Sequence, residues 1–179
     1  EVGFSLYTEL LERAVRALKE GRIPELDADA RRHTEVELHL PALIPDDYLG
    51  DVHTRLMLYK RIASAPDDEV LDRLTEEMVD RFGVLPPQTA NLFQVARLRL
   101  RAAALGIRKL ELGALGGRVL FFPNPPVDAL VVIRMVQKLP KVYALDGPDK
   151  LKVRLELPGA AERLRTAGDI LRVLGDQSG

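Results

Sequence analysis

The 179-residue chain contains no cysteine, which excludes a disulfide framework, thiolate catalysis and every cysteine-ligated metal site. Long apolar runs are missing as well. No stretch approaches the roughly 20 residues that cross a bilayer as a helix, and the amino terminus lacks the charged segment and apolar core of a secretion signal. An excess of either charge is also absent: 26 Lys and Arg stand against 27 Asp and Glu, a formal net charge of -1. The whole-molecule field therefore draws in neither nucleic acid nor anionic lipid, and any such contact needs a local patch. What is present, 46% hydrophobic and 30% charged residues, is ordinary globular composition. It implies a soluble folded chain with no membrane partner, and the lack of cysteine fits a reducing cytoplasm. The chain begins Glu1-Val2-Gly3-Phe4 with no initiator Met and enters a helical pattern almost at once, as expected of a piece cut from a longer protein.

Periodicity and punctuation divide the chain. Leu6, Leu10, Leu11, Ala14, Val15 and Leu18 recur at helical spacing up to Gly21, which makes residues 1–21 an amphipathic helix and its lead-in. Residues 22–33 lose all periodicity and read as a connecting segment. From 34 onward the chain reads as one domain. Thr34-Glu35-Val36-Glu37-Leu38-His39 alternates as a half-buried strand closed by Pro41. Three helices follow, over about 51–63, from near Pro66 to Phe82, and from Pro86-Pro87 to about Leu105. Beyond Gly106 come strands at 107–112 and 117–122, a helix at 128–138, strands at 141–145 and 150–156, and a helix at 159–174. This strand, strand, helix repeat predicts an α+β fold. A helical N-terminal half packs with a small antiparallel or mixed sheet in the C-terminal half.

No constellation for chemistry emerges. Gly113, Gly116 and Gly117 lack the Gly-Lys-Ser/Thr ending of a phosphate loop and fit a hairpin turn better. His33, His39 and His53 have no ligand spacing, and Ser5, Ser64 and Ser178 have no nucleophile-elbow context. Asp46 and Asp47 after Pro45 read as turn residues. Arg97, Arg99, Arg101, Arg108 and Lys109 form the densest basic segment, but no aromatic residue lies among them to stack bases. A solvated face is the better reading there.

The 66–82 helix differs in quality. Leu71, Leu74, Met78 and Phe82 fall at i, i+3, i+7 and i+11 as a buried stripe, while Glu69, Glu76, Glu77 and Asp80 lie opposite, interrupted by Arg73. On composition alone this is a solvated face with Glu69–Arg73 and Glu77–Arg81 pairs at i,i+4, each worth ~0.3–0.5 kcal/mol.

A resemblance changes that weighting. Ile44-Pro45-Asp46-Asp47-Tyr48, Arg55, Leu58-Tyr59-Lys60-Arg61-Ile62-Ala63-Ser64, Asp80-Arg81-Phe82-Gly83, Leu85-Pro86, Ala96-Arg97-Leu98-Arg99, Leu105-Gly106-Ile107 and Leu145-Asp146-Gly147-Pro148 together resemble the C-terminal domain of bacterial transcription-repair coupling factors. The likeness runs from Val2 onward. It implies a cytoplasmic bacterial protein of transcription-coupled DNA repair whose partners are RNA polymerase, UvrA and double-stranded DNA. It also implies that this fragment is not an enzyme and holds no cofactor, since ATP and Mg serve motor domains outside it. In that family the C-terminal domain packs on a UvrB-like module of the same protein and masks its UvrA-binding surface. Acidic residues before Asp-Arg-Phe-Gly face basic residues of that module, and the matching positions are Glu77 and Asp80. The alternative is an accessory DNA contact through Arg97, Arg101, Arg108 and Lys109 that modulates translocation.

Overall fold

The computed structural model describes residues 14–16, 18–20 and 33–176. Residues 14–16 and 18–19 are helical. The remainder of the expected first helix and most of the connecting segment lie outside the described residues. The chain forms two compact units, one of residues 1–30 and 41–97 and one of residues 31–40 and 98–179.

The first unit holds α1 (Val52–Ala63), α2 (Asp68–Phe82) and residues 87–97 of α3 (Pro87–Ala104). Leu56, Leu58, Tyr59 and Ile62 of α1 are buried with Leu71, Leu74 and Met78 of α2 and Leu92, Phe93 and Ala96 of α3. This is the apolar pattern read from the sequence, with one change. Phe82, expected in the α2 stripe, is only half-buried, because it stands in the last turn, where the helix leaves the core, and packs edge-on against Tyr48 with ring centroids 6.1 Å apart. The start of α2 also differs from expectation. Asp67 lies outside the helix with extended backbone and accepts a hydrogen bond from Val70 N–H at 2.9 Å. An Asp side chain satisfies an orphan amide of the first turn, so Asp67 caps the helix and Pro66 precedes the cap.

The segment before α1 is pinned at several points. Ile44 N–H donates to the Tyr59 hydroxyl at 2.7 Å, Leu43 N–H donates to Gln88 carbonyl at 3.1 Å, and Thr89 Oγ1 donates to Leu43 carbonyl at 3.0 Å. Arg55, buried in α1, donates from Nη1 to Leu49 carbonyl at 3.2 Å. Ile44-Pro45-Asp46-Asp47-Tyr48 is thereby a rigid turn, and Asp46 and Asp47 are exposed on it.

The second unit is built on a five-stranded sheet in the order β1-β2-β3-β5-β4, with β1 Glu35–Glu37, β2 Ile107–Gly113, β3 Gly116–Phe121, β4 Tyr143–Leu145 and β5 Lys150–Val153. β1 runs parallel to β2 and the other pairs are antiparallel, so the sheet is mixed and the fold α+β. Leu110, Leu112, Val119, Leu151 and Val153 are buried, while Lys109, Glu111, Arg118, Lys150 and Lys152 alternate with them and are half-exposed. This period of two assigns one face to the core and leaves the other polar. α4 (Ala129–Lys138) and α5 (Ala160–Leu174) pack on the sheet and on each other. The Gly113–Gly117 turn is a hairpin, as expected. At Gly116, with φ of +103°, a Cβ would fall on the Val153 carbonyl oxygen, so only glycine lets β3 lie this close to β5.

Candidate docking interface

α2 presents the charged face. Its sequence places Glu69, Glu76 and Asp80 within about 40° of one another around the helix axis, opposite Leu71, Leu74 and Met78, and all three acids are exposed. Asp68 and Asp72, on the flank, hold Arg97: its Nη1 stands 3.3 Å from Asp68 Oδ1 and its Nη2 2.5 Å from Asp72 Oδ1.

The two residues singled out from sequence occupy different situations. Glu77 is half-buried, and its Oε2 accepts from Arg61 Nη1 at 2.5 Å, which ties α2 to α1. The expected Glu77–Arg81 pair does not form, because Arg81 turns over the Phe82 ring with its guanidinium carbon 4.8 Å from the centroid. Asp80 is exposed and has no hydrogen-bond or ion-pair partner among the described residues. It also stands in the last turn of α2, near the negative end of the helix dipole, where a carboxylate is unfavourable by about 0.3–1 kcal/mol. Asp is itself a weak helix former. Nothing in the local energetics of α2 accounts for a carboxylate at this position.

The ground under Asp80 is firm. α2 ends at Gly83, whose φ of 94° is glycine-favoured, and Gly83 N–H donates to Val79 carbonyl at 2.9 Å. The Tyr48 hydroxyl lies 2.8 Å from Gly83 carbonyl and 3.3 Å from Met78 carbonyl, and burial pushes the phenol up from its ordinary value. Tyr48 thus supplies a donor to the Gly83 carbonyl, which the helix end leaves open. Arg61 and Tyr48 were not singled out as site residues from sequence. Arg61 has no signal beyond its place in the Leu58–Ser64 motif, since its partner is 16 residues away.

Arg97, Arg101 and Lys109 of the basic segment are each engaged within their own unit. Arg97 belongs to the first unit and is held by Asp68 and Asp72. In the second unit Arg101 donates from Nη2 to Gly168 carbonyl at 3.3 Å, and Lys109 Nζ stands 3.8 Å from Glu35 Oε2. Arg108 alone of the four has neither a side-chain hydrogen bond nor an ion pair among the described residues, and it is exposed. His39 sits between carboxylates, its Nε2 at 3.0 Å from Glu111 Oε2 and its Nδ1 at 3.9 Å from Glu37 Oε1. Among the described residues no three of His, Asp and Glu converge as metal ligands, and no helix is long and apolar enough to cross a membrane.

The chain is thus a mixed-sheet α+β fold whose first unit carries an exposed acidic helix capped at both ends. Comparison with known proteins gives the family. The TRCF domain model matches residues 38–131, and the chain belongs to that family. It is 46% identical over 173 residues to the transcription-repair-coupling factor of Haemophilus influenzae and 45% identical over 177 residues to that of Escherichia coli K12, covering 97% and 99% of the chain. It spans 15% of the length of each of these relatives. Among solved structures, the crystal structure of the C-terminal domain of a transcription-repair coupling factor has the same fold. Its TM-score is 0.65 at 19% identity, over 84% of this chain and 100% of that one.

Proposed function

We propose that this chain is a non-catalytic regulatory domain of a transcription-repair coupling factor, which docks through α2 on a UvrB-like module of the same polypeptide and masks the surface that captures UvrA. The observation that carries the reading is Asp80, a carboxylate held rigidly at the helix end where it costs stability and left without a cation among the described residues. Its complement is a basic group on the docked module. Such a contact is weak when screened and can be exchanged for others, as a releasable clasp requires. On this reading ATP, Mg, RNA polymerase and double-stranded DNA are engaged by other parts of the polypeptide, in the bacterial cytoplasm.

The test is a calorimetric titration of this chain against the separate UvrB-like module at several ionic strengths. The wild type binds, affinity falls with salt, and Asp80→Ala with Glu77→Ala binds at least tenfold more weakly. In the full-length protein the same pair of substitutions increases UvrA capture. Equal affinity of wild type and double variant overturns the assignment.

A further inference from the structure

The turn that follows α2 carries a side chain with no role in this fold. Val84 is 87% exposed. A lone exposed apolar residue is ordinary on a protein surface, but Val84 is not on a loose loop. Gly83 before it is bonded at both its N–H and its carbonyl, and two residues after it comes Pro86, whose carbonyl accepts from Thr89 N–H and Ala90 N–H at 3.0 Å. Leu85 between them is half-buried. The chain is fixed on either side of Val84 and holds it outward.

Its neighbours continue the pattern. Phe82 and Tyr48 expose part of their edge-on pair, Arg81 covers the Phe82 ring, and Val79, one turn back on the Phe82 side of α2, is 40% exposed. Aromatic residues and arginine around an apolar centre are the composition that concentrates binding energy in protein interfaces. Valine is stiff at χ1 and the turn is already ordered, so little conformational freedom remains to be lost when Val84 is covered. Asp80 precedes this patch in the last turn of α2, and the neighbouring Arg81 is engaged on the Phe82 ring.

We infer that Val84 is the apolar anchor of the α2 contact, entering a socket beside the arginine or lysine that meets Asp80. This rests on the docking reading above and divides the roles within it. The occupant is another part of the same longer polypeptide. Four side chains, two of them half-buried, fall well short of the roughly 1,200–2,000 Å² that a stable bimolecular interface covers. A tethered partner at an effective concentration in the millimolar range needs much less, and this chain is 15% of the length of its full-length relatives.

The experiment titrates wild type, Val84→Asp, Val84→Leu and Asp80→Ala against the separate UvrB-like module carried to millimolar concentration, the range that a tether supplies, with thermal melts of each variant. Val84→Asp binds at least tenfold more weakly and melts as wild type does, and Val84→Leu binds within threefold of wild type. If wild type does not bind the module, the docking reading itself fails. If wild type binds and Asp80→Ala weakens it while Val84→Asp stays within twofold, the anchor assignment fails and docking stands. Concentration-dependent self-association that Val84→Asp abolishes assigns the patch to a second copy and overturns the tethered occupant.

Discussion

Asp80→Ala should raise the stability of this chain while Glu77→Ala lowers it, although the two carboxylates stand three residues apart on one helix. Replacing Asp80 removes a negative charge from the negative end of the α2 dipole and substitutes a strong helix former, which together amount to a gain of about 0.5–1 kcal/mol. Replacing Glu77 breaks its pair with Arg61, whose side chains are 37% and 48% exposed. At that exposure solvent screening limits the pair to about 0.2–1 kcal/mol. For a chain of this size these changes correspond to a rise of about 1–4 °C for Asp80→Ala and a fall of about 0.4–4 °C for Glu77→Ala. Thermal unfolding of the two single variants, with a double-mutant cycle through Arg61→Ala, reads each contribution separately. At about 1 M salt, where the Debye length is about 3 Å, the pair energy should largely disappear. A fall in stability on Asp80→Ala would refute the reasoning, since it would mean that the carboxylate is satisfied within the fold. So would a cycle energy of zero between Arg61 and Glu77.

Two further outcomes test the second unit. Gly116→Ala places a Cβ on the Val153 carbonyl oxygen at a φ of +103°. It should cost about 3–5 kcal/mol in urea unfolding, combining backbone strain with overpacking between two paired strands; a loss under about 1 kcal/mol would show that the strands separate freely. At Glu111 burial raises the carboxyl's affinity for protons, but the hydrogen bond from His39 and the charges of Lys109, Arg118 and His39 outweigh it and hold the group below its ordinary 4.5. A depressed carboxyl contributes stability above its unfolded value that is lost as pH falls through the folded one. Acid titration from pH 6 downward should therefore destabilise wild type more steeply below about 4.5 than Glu111→Gln, and parallel curves would sink the assignment.

The helices were legible because their signals are local. Gly83, the Pro86-Pro87 pair and the Leu71-Leu74-Met78 spacing each act over a few residues, and the elements they bound appear where periodicity put them, except that α2 starts after the Asp67 cap rather than at Pro66. Gly113, Gly116 and Gly117 announced a hairpin for the same reason. The parallel pairing of Glu35–Glu37 with Lys109–Glu111 was not legible, since a three-residue strand carries too little pattern to choose a partner more than 70 residues away. The same limit applies to charge. Sequence spacing offered Glu77 to Arg81 at i,i+4, but tertiary packing gave Glu77 to Arg61 and Arg81 to the Phe82 ring. Likewise Arg97, Arg101 and Lys109 read as a basic segment until the fold supplied Asp68 and Asp72, the Gly168 carbonyl and Glu35.

The sequence by itself determined the α+β class, the helix ends, the core stripes and, through the order of its short motifs, the family, because these depend on near neighbours and on composition. Which charges remain free was decided only by the tertiary structure. A surface carboxylate and a surface cation gain similar small energies from any of several partners, so local spacing cannot rank them, and the packing that brings one within reach selects among them. That selection leaves Asp80 open and Val84 uncovered at the end of α2.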